Sequence, residues 1–373
     1  MPPAAPPRPR PIRCEIVYHV VRPHVSQLFT GLELLAAAGL VRLSQRRMRP
    51  AEFDAIVPWR EHVTVLVDGR RVFYDLHDGG DINAAAAATC DAYFKRSYDA
   101  ARITPGVASR VHPYGLNYEV YPGRLSWREL ARIARVRDDA AVRRRALVLA
   151  LGQVAPPGLG PFVPTVRTMS APPSPDAPPR VLFAVRAWDP AGNPGLTPVQ
   201  VEYWHELNRM RARCVRALRA EFGPAFLGGF MHTPYAARHF PDALLADDTM
   251  AAKRRYVALL HDHAIGVATT GLHGSTGWKL AEYVAMSRAI VSEPLEYALP
   301  GGFAAGTHYL QFATADECVA RVRSLVDDAG LRARMMHANH AYYDAHVRPD
   351  ALVLRTLHIA TQRTPAGPEP AVA

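Results

Sequence analysis

From residue 181 onward the chain alternates short apolar runs with amphipathic stretches, and few folds can absorb that pattern. Strand-like runs at 181–185, 226–230, 265–268, 289–292 and 309–312 interleave with helical patterns at 198–221, 249–261, 277–287 and 314–326. Such β-α-β-α order implies an α/β fold with a parallel sheet and helices on both faces. In that architecture ligands bind beyond the carboxyl ends of the strands. Chemistry is therefore expected in the residues that follow 185 and 268.

The second of these places is the more informative. Ala264, Ile265, Val267 and Ala268 read as a buried strand, and Leu280, Tyr283, Val284 and Ser287 recur at the spacing of one helix face. Between them lies TTGLHGSTGWKLAE, residues 269–282, with Gly271, Gly274 and Gly277 around His273, Ser275 and Thr276. Glycine lets backbone approach a ligand closely, and the first N–H groups of a helix attract an anion. Ser275 or Thr276 is expected as the N-cap. Lys279 and Glu282 follow at i and i+3, which is also the spacing of an ordinary surface ion pair. The loop is neither G-x-G-x-x-G nor a P-loop, since Trp278 separates Gly277 from Lys279.

The proline-rich stretch at 156–179 cannot continue a helix or a central strand and divides the chain. The expected layout is an arm at 1–11, a first α/β domain at 12–151, a linker at 152–179, a second domain at 180–345, and a terminal helix and tail at 346–373. The first domain is expected to hold a strand at 14–18, a helix at 25–38, and a hairpin (63–67 and 72–74) turning at Asp68-Gly69. Helical pattern returns at 82–91 and 125–151, the latter opened by a capping box of Ser126 and Glu129.

Arginine accounts for most of the net charge of +10 and the isoelectric point near 9.6. The clusters at 143–145 and at Arg46, Arg47 and Arg49 are not interleaved with aromatics, so they read as solvated faces and no nucleic-acid partner is expected. No apolar run approaches the ~20 residues of a membrane span, and 1–11 lacks the apolar core of a signal peptide; a cytoplasmic protein is expected. The four cysteines stand singly, which offers no zinc spacing or disulfide framework. His261 and His263 lack a third nearby ligand, and no metal is expected. Asp75, His77, Asp78 and Asp81 form a polar cluster after a strand. His77 or Asp78 is a candidate base for an acceptor hydroxyl, although H-D-G-G-D is equally good turn chemistry. Tyr93, Phe94 and Tyr98 around Lys95 and Arg96 suit either an acceptor wall or a half-buried strand.

Three stretches carry a resemblance: VLFAVRAWDP at 181–190, GLHGSTGWKLAEYVAMSRAIVSEPL at 271–295, and GTHYLQFATADECVARVRSLVDDAGLRARMMHANHAYY at 306–343. In this order they are similar to the C-terminal half of GT-B glycosyltransferases, closest to bacterial group 1-like enzymes. YDLHDGGD at 74–81, YFKRSY at 93–98 and HPYGLNY at 112–118 are similar signals in the first half. The resemblance implies two Rossmann-like domains facing across a cleft. It implies a UDP- or GDP-sugar as co-substrate with no further cofactor, and an acceptor that is a polysaccharide, a lipid-linked molecule or a secondary metabolite. Peripheral contact with a membrane would suit the basic balance. By position Glu282 would bind the ribose hydroxyls, Arg186 the pyrophosphate, and Lys279 would be a second cation. Two departures stand out. The first of two glutamates often found in retaining members falls at Gly274, and a common lysine six residues after the arginine falls at Gly192. They motivate a second expectation, a non-catalytic scaffold or sugar-nucleotide sensor.

Overall fold

The computed structural model describes residues 10–18, 23–49, 61–124, 161–247 and 252–362, with 126, 131, 144, 147–148 and 150–152. Most of the expected arm, Glu129 of the expected capping box, most of the helix at 125–151, part of the linker and the tail beyond 362 lie outside the described residues. The chain forms two compact units, Met1–Val163 with Arg348–Ala373, and Pro164–Val347. Both are Rossmann-like α/β units.

In the first unit β1 (Ile12–Tyr18), α1 (Ser26–Ala37), β2 (Val41–Arg47), β3 (His62–Val67), β4 (Arg70–Asp75), α2 (Ala84–Thr89), β5 (Ala92–Lys95) and β6 (Val111–Pro113) follow one another. The sheet has the order β2-β1-β3-β4-β5-β6. It is mixed: β3 runs antiparallel to β1 and β4, and the other pairs are parallel. The reversal comes from the Asp68-Gly69 turn, where φ is 49° and 89°. Those left-handed values match the twist of the flanking strands, as the D-G pair requires. β5 carries no alternating pattern, because every one of its residues is buried, and β6 has only 3 residues.

The second unit runs β7 (Val181–Val185), α3 (Pro198–Phe222), β8 (Phe226–Phe230), α4 (Pro234–His239), α5 (Lys253–Asp262), β9 (Ile265–Ala268), α6 (Trp278–Ala285), β10 (Ala289–Ser292), β11 (Leu310–Gln311), α7 (Ala315–Asp327) and α8 (Ala329–Tyr342). Its sheet, β11-β10-β9-β7-β8, is parallel throughout. Much of the proline-rich segment belongs to this unit: Met169 is buried, and Ala171 accepts from Ser287 Oγ at 2.6 Å and donates to Ala285 O at 3.2 Å. α6 packs closely on β9 because Gly266 leaves room for the Tyr283 ring, whose hydroxyl donates to Leu182 O at 3.1 Å.

The last helix, α9 (Pro349–Thr361), completes the core of the first unit. Leu352, Val353, Leu357 and Ala360 are buried there, Thr356 Oγ1 meets Tyr74 OH at 2.8 Å, and α9 lies so near α1 that a Cβ on Gly31 would overlap Pro349 and Val353. Residues 348–361 of the expected 346–373 segment thus belong to the first unit.

The close fit of α6 on β9 generates a test. A Cβ on Gly266 would stand 2.6 Å from the Tyr283 ring, so Gly266→Ala is expected to cost about 1–3 kcal/mol through overpacking, measured as a lowered Tm.

Candidate functional site

The strand order of the second unit locates its ligand crevice. β8 lies on one side of β7, and β9, β10 and β11 lie on the other. The connections leave β7 in opposite directions, and the carboxyl ends of β7 and β9 open a gap at this topological switch point. Arg186 is the first residue after β7 and Thr269 the first after β9. Arg186 is exposed, with its guanidinium 5.8 Å from the centre of the Trp188 ring.

A residue absent from the sequence expectations holds these two ends. Arg211, on α3 and 6% exposed, donates from NH1 to Arg186 O (2.8 Å), from NH2 to Thr270 O (2.8 Å) and from Nε to Thr269 Oγ1 (3.0 Å). Burial lowers its pKa to about 10, so it stays charged at neutral pH. On the same helix Asn208 brackets Trp188, accepting from its N–H at 2.9 Å and donating to its carbonyl at 2.7 Å.

The glycine loop is a folded structure. Gly271 N–H donates to Ser275 O at 2.7 Å and Ser275 N–H to Leu272 O at 3.1 Å. His273 (φ 60°) and Gly274 (φ 65°) are consecutive left-handed residues, a conformation disfavoured for histidine and held by its surroundings. Tyr203 OH donates to Gly271 O (3.1 Å) and accepts from Gly274 N–H (3.2 Å). Glu293 Oε2 accepts from Thr270 N–H (2.7 Å) and its hydroxyl (3.0 Å), and Tyr297 OH donates to His273 O (2.6 Å). The expected N-cap is corrected. Gly277, not Ser275 or Thr276, occupies that position, and no side chain caps the helix. Ser275 closes the preceding turn and is buried, and at the helix start Leu280 N–H donates to Gly277 O at 3.2 Å.

Behind the loop stands a charged cluster. Glu282, 3% exposed, accepts from Lys253 Nζ at 2.8 Å and Tyr256 OH at 2.7 Å. Burial alone would raise its pKa; the charges of Lys253 and Lys279 and the two hydrogen bonds outweigh that and hold it below its ordinary value. Lys279 Nζ lies 3.8 Å from the centre of the Tyr256 ring, a cation–π contact. Burial lowers its pKa to about 8, against the raising pull of Glu282 and with Lys253 and Arg211 adding to the drop. Lys279 and Glu282 do not form the simple i,i+3 ion pair. Glu282 turns to Lys253 on α5, a partner that sequence reasoning did not name. A carboxylate has about four acceptor sites, and Lys253 and Tyr256 fill two of them.

The candidate bases of the first unit are less available. Asp78 pairs with Arg96; burial would raise its pKa, but Arg96, His24 and His77 hold it below the ordinary value, which weakens it as a base. His77 Nδ1 accepts from Gly79 N–H at 3.1 Å, so the nitrogen without a proton is engaged. Asp75 is buried with Tyr93 OH and Lys95 Nζ (3.1 Å) as donors. The aromatic wall is corrected: Tyr93 and Phe94 are fully buried core and Lys95 and Arg96 are buried in ion pairs. His261 and His263 each meet a backbone carbonyl, of Thr168 and Leu259.

No protein-family model matches this sequence and no curated protein matches it. Solved structures similar to the chain include Anabaena HepE in complex with UDP (10% identity, TM-score 0.39, 74% of this chain and 65% of that one). A glycosyltransferase from Rickettsia africae is similar at 11% identity and TM-score 0.39, over 91% of this chain and 81% of that one. The glycotransferase of kitacinnamycin is similar at 14% identity and TM-score 0.37, over 96% and 100%. This chain thus spans about 65% of the length of the Anabaena protein.

The charged cluster makes a stability prediction. Because Glu282 has a folded-state pKa below its ordinary 4.5, it stabilises fully above that value, and the contribution is lost as pH falls through the folded value. Lys253→Met leaves a buried oxygen short of its donor and is expected to cost about 1–3 kcal/mol at neutral pH. A Tm series from pH 7 to 3 checks both parts: the variant should melt lower at pH 7 and lose less on acidification than the wild type.

Proposed function

We propose that this protein is a glycosyltransferase that moves a sugar from a nucleoside-diphosphate sugar to an acceptor hydroxyl. The observation that carries the reading is the start of α6, with a glycine as its N-cap, behind a glycine loop at the switch point, with Lys279 and the buried Glu282 one turn in. A diphosphate at that helix start meets backbone donors and a positive dipole end. Arg186 and Lys279 balance its charge, and Gly277 and Thr276, with the turn of Gly271, His273, Gly274 and Ser275, shape the contact, the N–H groups of Gly271, Gly274 and Ser275 being given to Ser275 O, Tyr203 OH and Leu272 O. Glu282 accepts from the vicinal hydroxyls of ribose. As the glycosidic bond breaks, the leaving diphosphate gains charge, and preorganised cations and N–H groups stabilise it most at that moment. UDP and GDP are the nucleotides of choice, and the acceptor is a polysaccharide, a lipid-linked molecule or a secondary metabolite. We place the reaction in the cytoplasm, where the net charge of +10 favours contact with an anionic membrane face.

A second reading, a non-catalytic scaffold or sugar-nucleotide sensor, is favoured by the engagement of Asp78 with Arg96 and of His77 Nδ1 with Gly79. Nucleotide-sugar binding without transfer or donor hydrolysis would select it.

Two measurements test the donor site. Lys279 titrates near 8 without ligand, and a bound diphosphate raises that value. At pH 8.5, binding of UDP or GDP is therefore expected to take up a fraction of a proton, seen by calorimetry in buffers of different ionisation enthalpy. Affinity should fall as pH rises above about 8, and Lys279→Arg should abolish the uptake; no uptake in the wild type would place the diphosphate elsewhere. Glu282→Gln is expected to weaken nucleotide binding about tenfold, or about 1.4 kcal/mol, and unchanged affinity would remove Glu282 from the ribose.

A further inference from the structure

The segment after β10 is strapped to the glycine loop at successive points. Glu293 holds Thr270, Tyr297 holds His273, and between them Glu296 lays its carboxylate against the Cα of Gly274. A Cβ at 274 would fall onto that carboxylate, so the glycine and the acid occupy one place together. Gly274 also needs its left-handed φ of 65°, which glycine adopts without strain. Glu296 differs from its neighbours in the strap. It is exposed, and among the described residues it makes no hydrogen bond or ion pair.

An ionised carboxylate accepts hydrogen bonds and donates none. Beside a phosphate-seeking loop it repels phosphate, so whatever lies against Glu296 is the part of a ligand that carries hydroxyl groups. The cationic end of the site is at Lys279 and Arg186, and the acidic end is at Gly274. A nucleoside-diphosphate sugar has this polarity, with a diphosphate followed by a polyhydroxylated ring.

Resting on the nucleotide-sugar reading, we infer that Glu296 is a specificity-determining residue that receives hydroxyl groups of the donor sugar across Gly274. Its position orients the sugar in the loop and adds affinity that the bare nucleotide lacks. Substituting it leaves no group without a hydrogen-bond partner, because it has none among the described residues.

The test compares UDP with UDP-glucose and GDP with GDP-mannose by calorimetry, in the wild type and in Glu296→Ala and Glu296→Gln. In the wild type one nucleotide sugar is expected to bind at least tenfold tighter than its parent nucleotide. In Glu296→Ala that advantage should vanish while affinity for the parent nucleotide stays within threefold or rises, and Glu296→Gln should retain part of it. With a reactive donor, KM for the sugar nucleotide should rise in the alanine variant. A sugar advantage that survives in Glu296→Ala, or nucleotide binding to the wild type with no advantage for either sugar, overturns the inference and spares the nucleotide site. Failure of the wild type to bind either nucleotide overturns both readings.

Discussion

The candidate site depends on one buried guanidinium. Arg211 reaches from α3 to the carbonyl after β7 and to the hydroxyl and carbonyl after β9, closing the gap that the reversal of strand order opens. A parallel sheet leaves the carbonyls at its strand ends without partners in the sheet. Five N–H donors in a rigid fork satisfy three acceptors at once where a lysine would satisfy them poorly. The positive charge also remains behind the loop, so the clamp that shapes the crevice sets its sign.

Around that clamp, charges are arranged in pairs whose members have different freedom. Glu282 is locked by Lys253 and Tyr256, and Glu293 is locked by Thr270. The two hydrogen bonds and the charges of Lys253 and Lys279 keep Glu282 ionised. Lys279, lying over the Tyr256 ring, is the cation whose charge is most easily changed, since burial has brought its pKa to about 8. A ligand anion and Lys279 thus stabilise each other's charge, a linkage that a surface lysine with an ordinary pKa does not provide. The start of α6, with glycine as its N-cap, adds the positive end of a helix dipole, which does not titrate.

Much of this was legible in the sequence. Apolar runs with period shifts between strand and helix predicted the second sheet, and the Asp68-Gly69 pair predicted the hairpin that makes the first sheet mixed. β5 stays one of two alternatives for Tyr93 and Phe94, because a strand buried throughout loses the alternation that marks a strand, and β6, with 3 residues, is too short to show a period. The partners of the loop escaped for a different reason. Trp204, Leu207, Asn208, Arg211, Val215 and Leu218 lie on one buried stripe of α3, and a polar residue on such a stripe is a detectable signal. What it hydrogen-bonds to is set by tertiary packing alone. The same holds for Lys253 and Glu296, which come to Glu282 and Gly274 from elements that sequence spacing does not connect.

In the proposed complex the diphosphate sits at the glycine loop and the start of α6. Amide hydrogen exchange with and without saturating UDP or GDP tests it most directly. Slowed exchange is expected to be confined to the second unit and strongest at residues 271–280, the loop and helix start that the ligand would cover. Ligand binding that leaves those amides unchanged, with protection appearing at residues 75–81 instead, would contradict it.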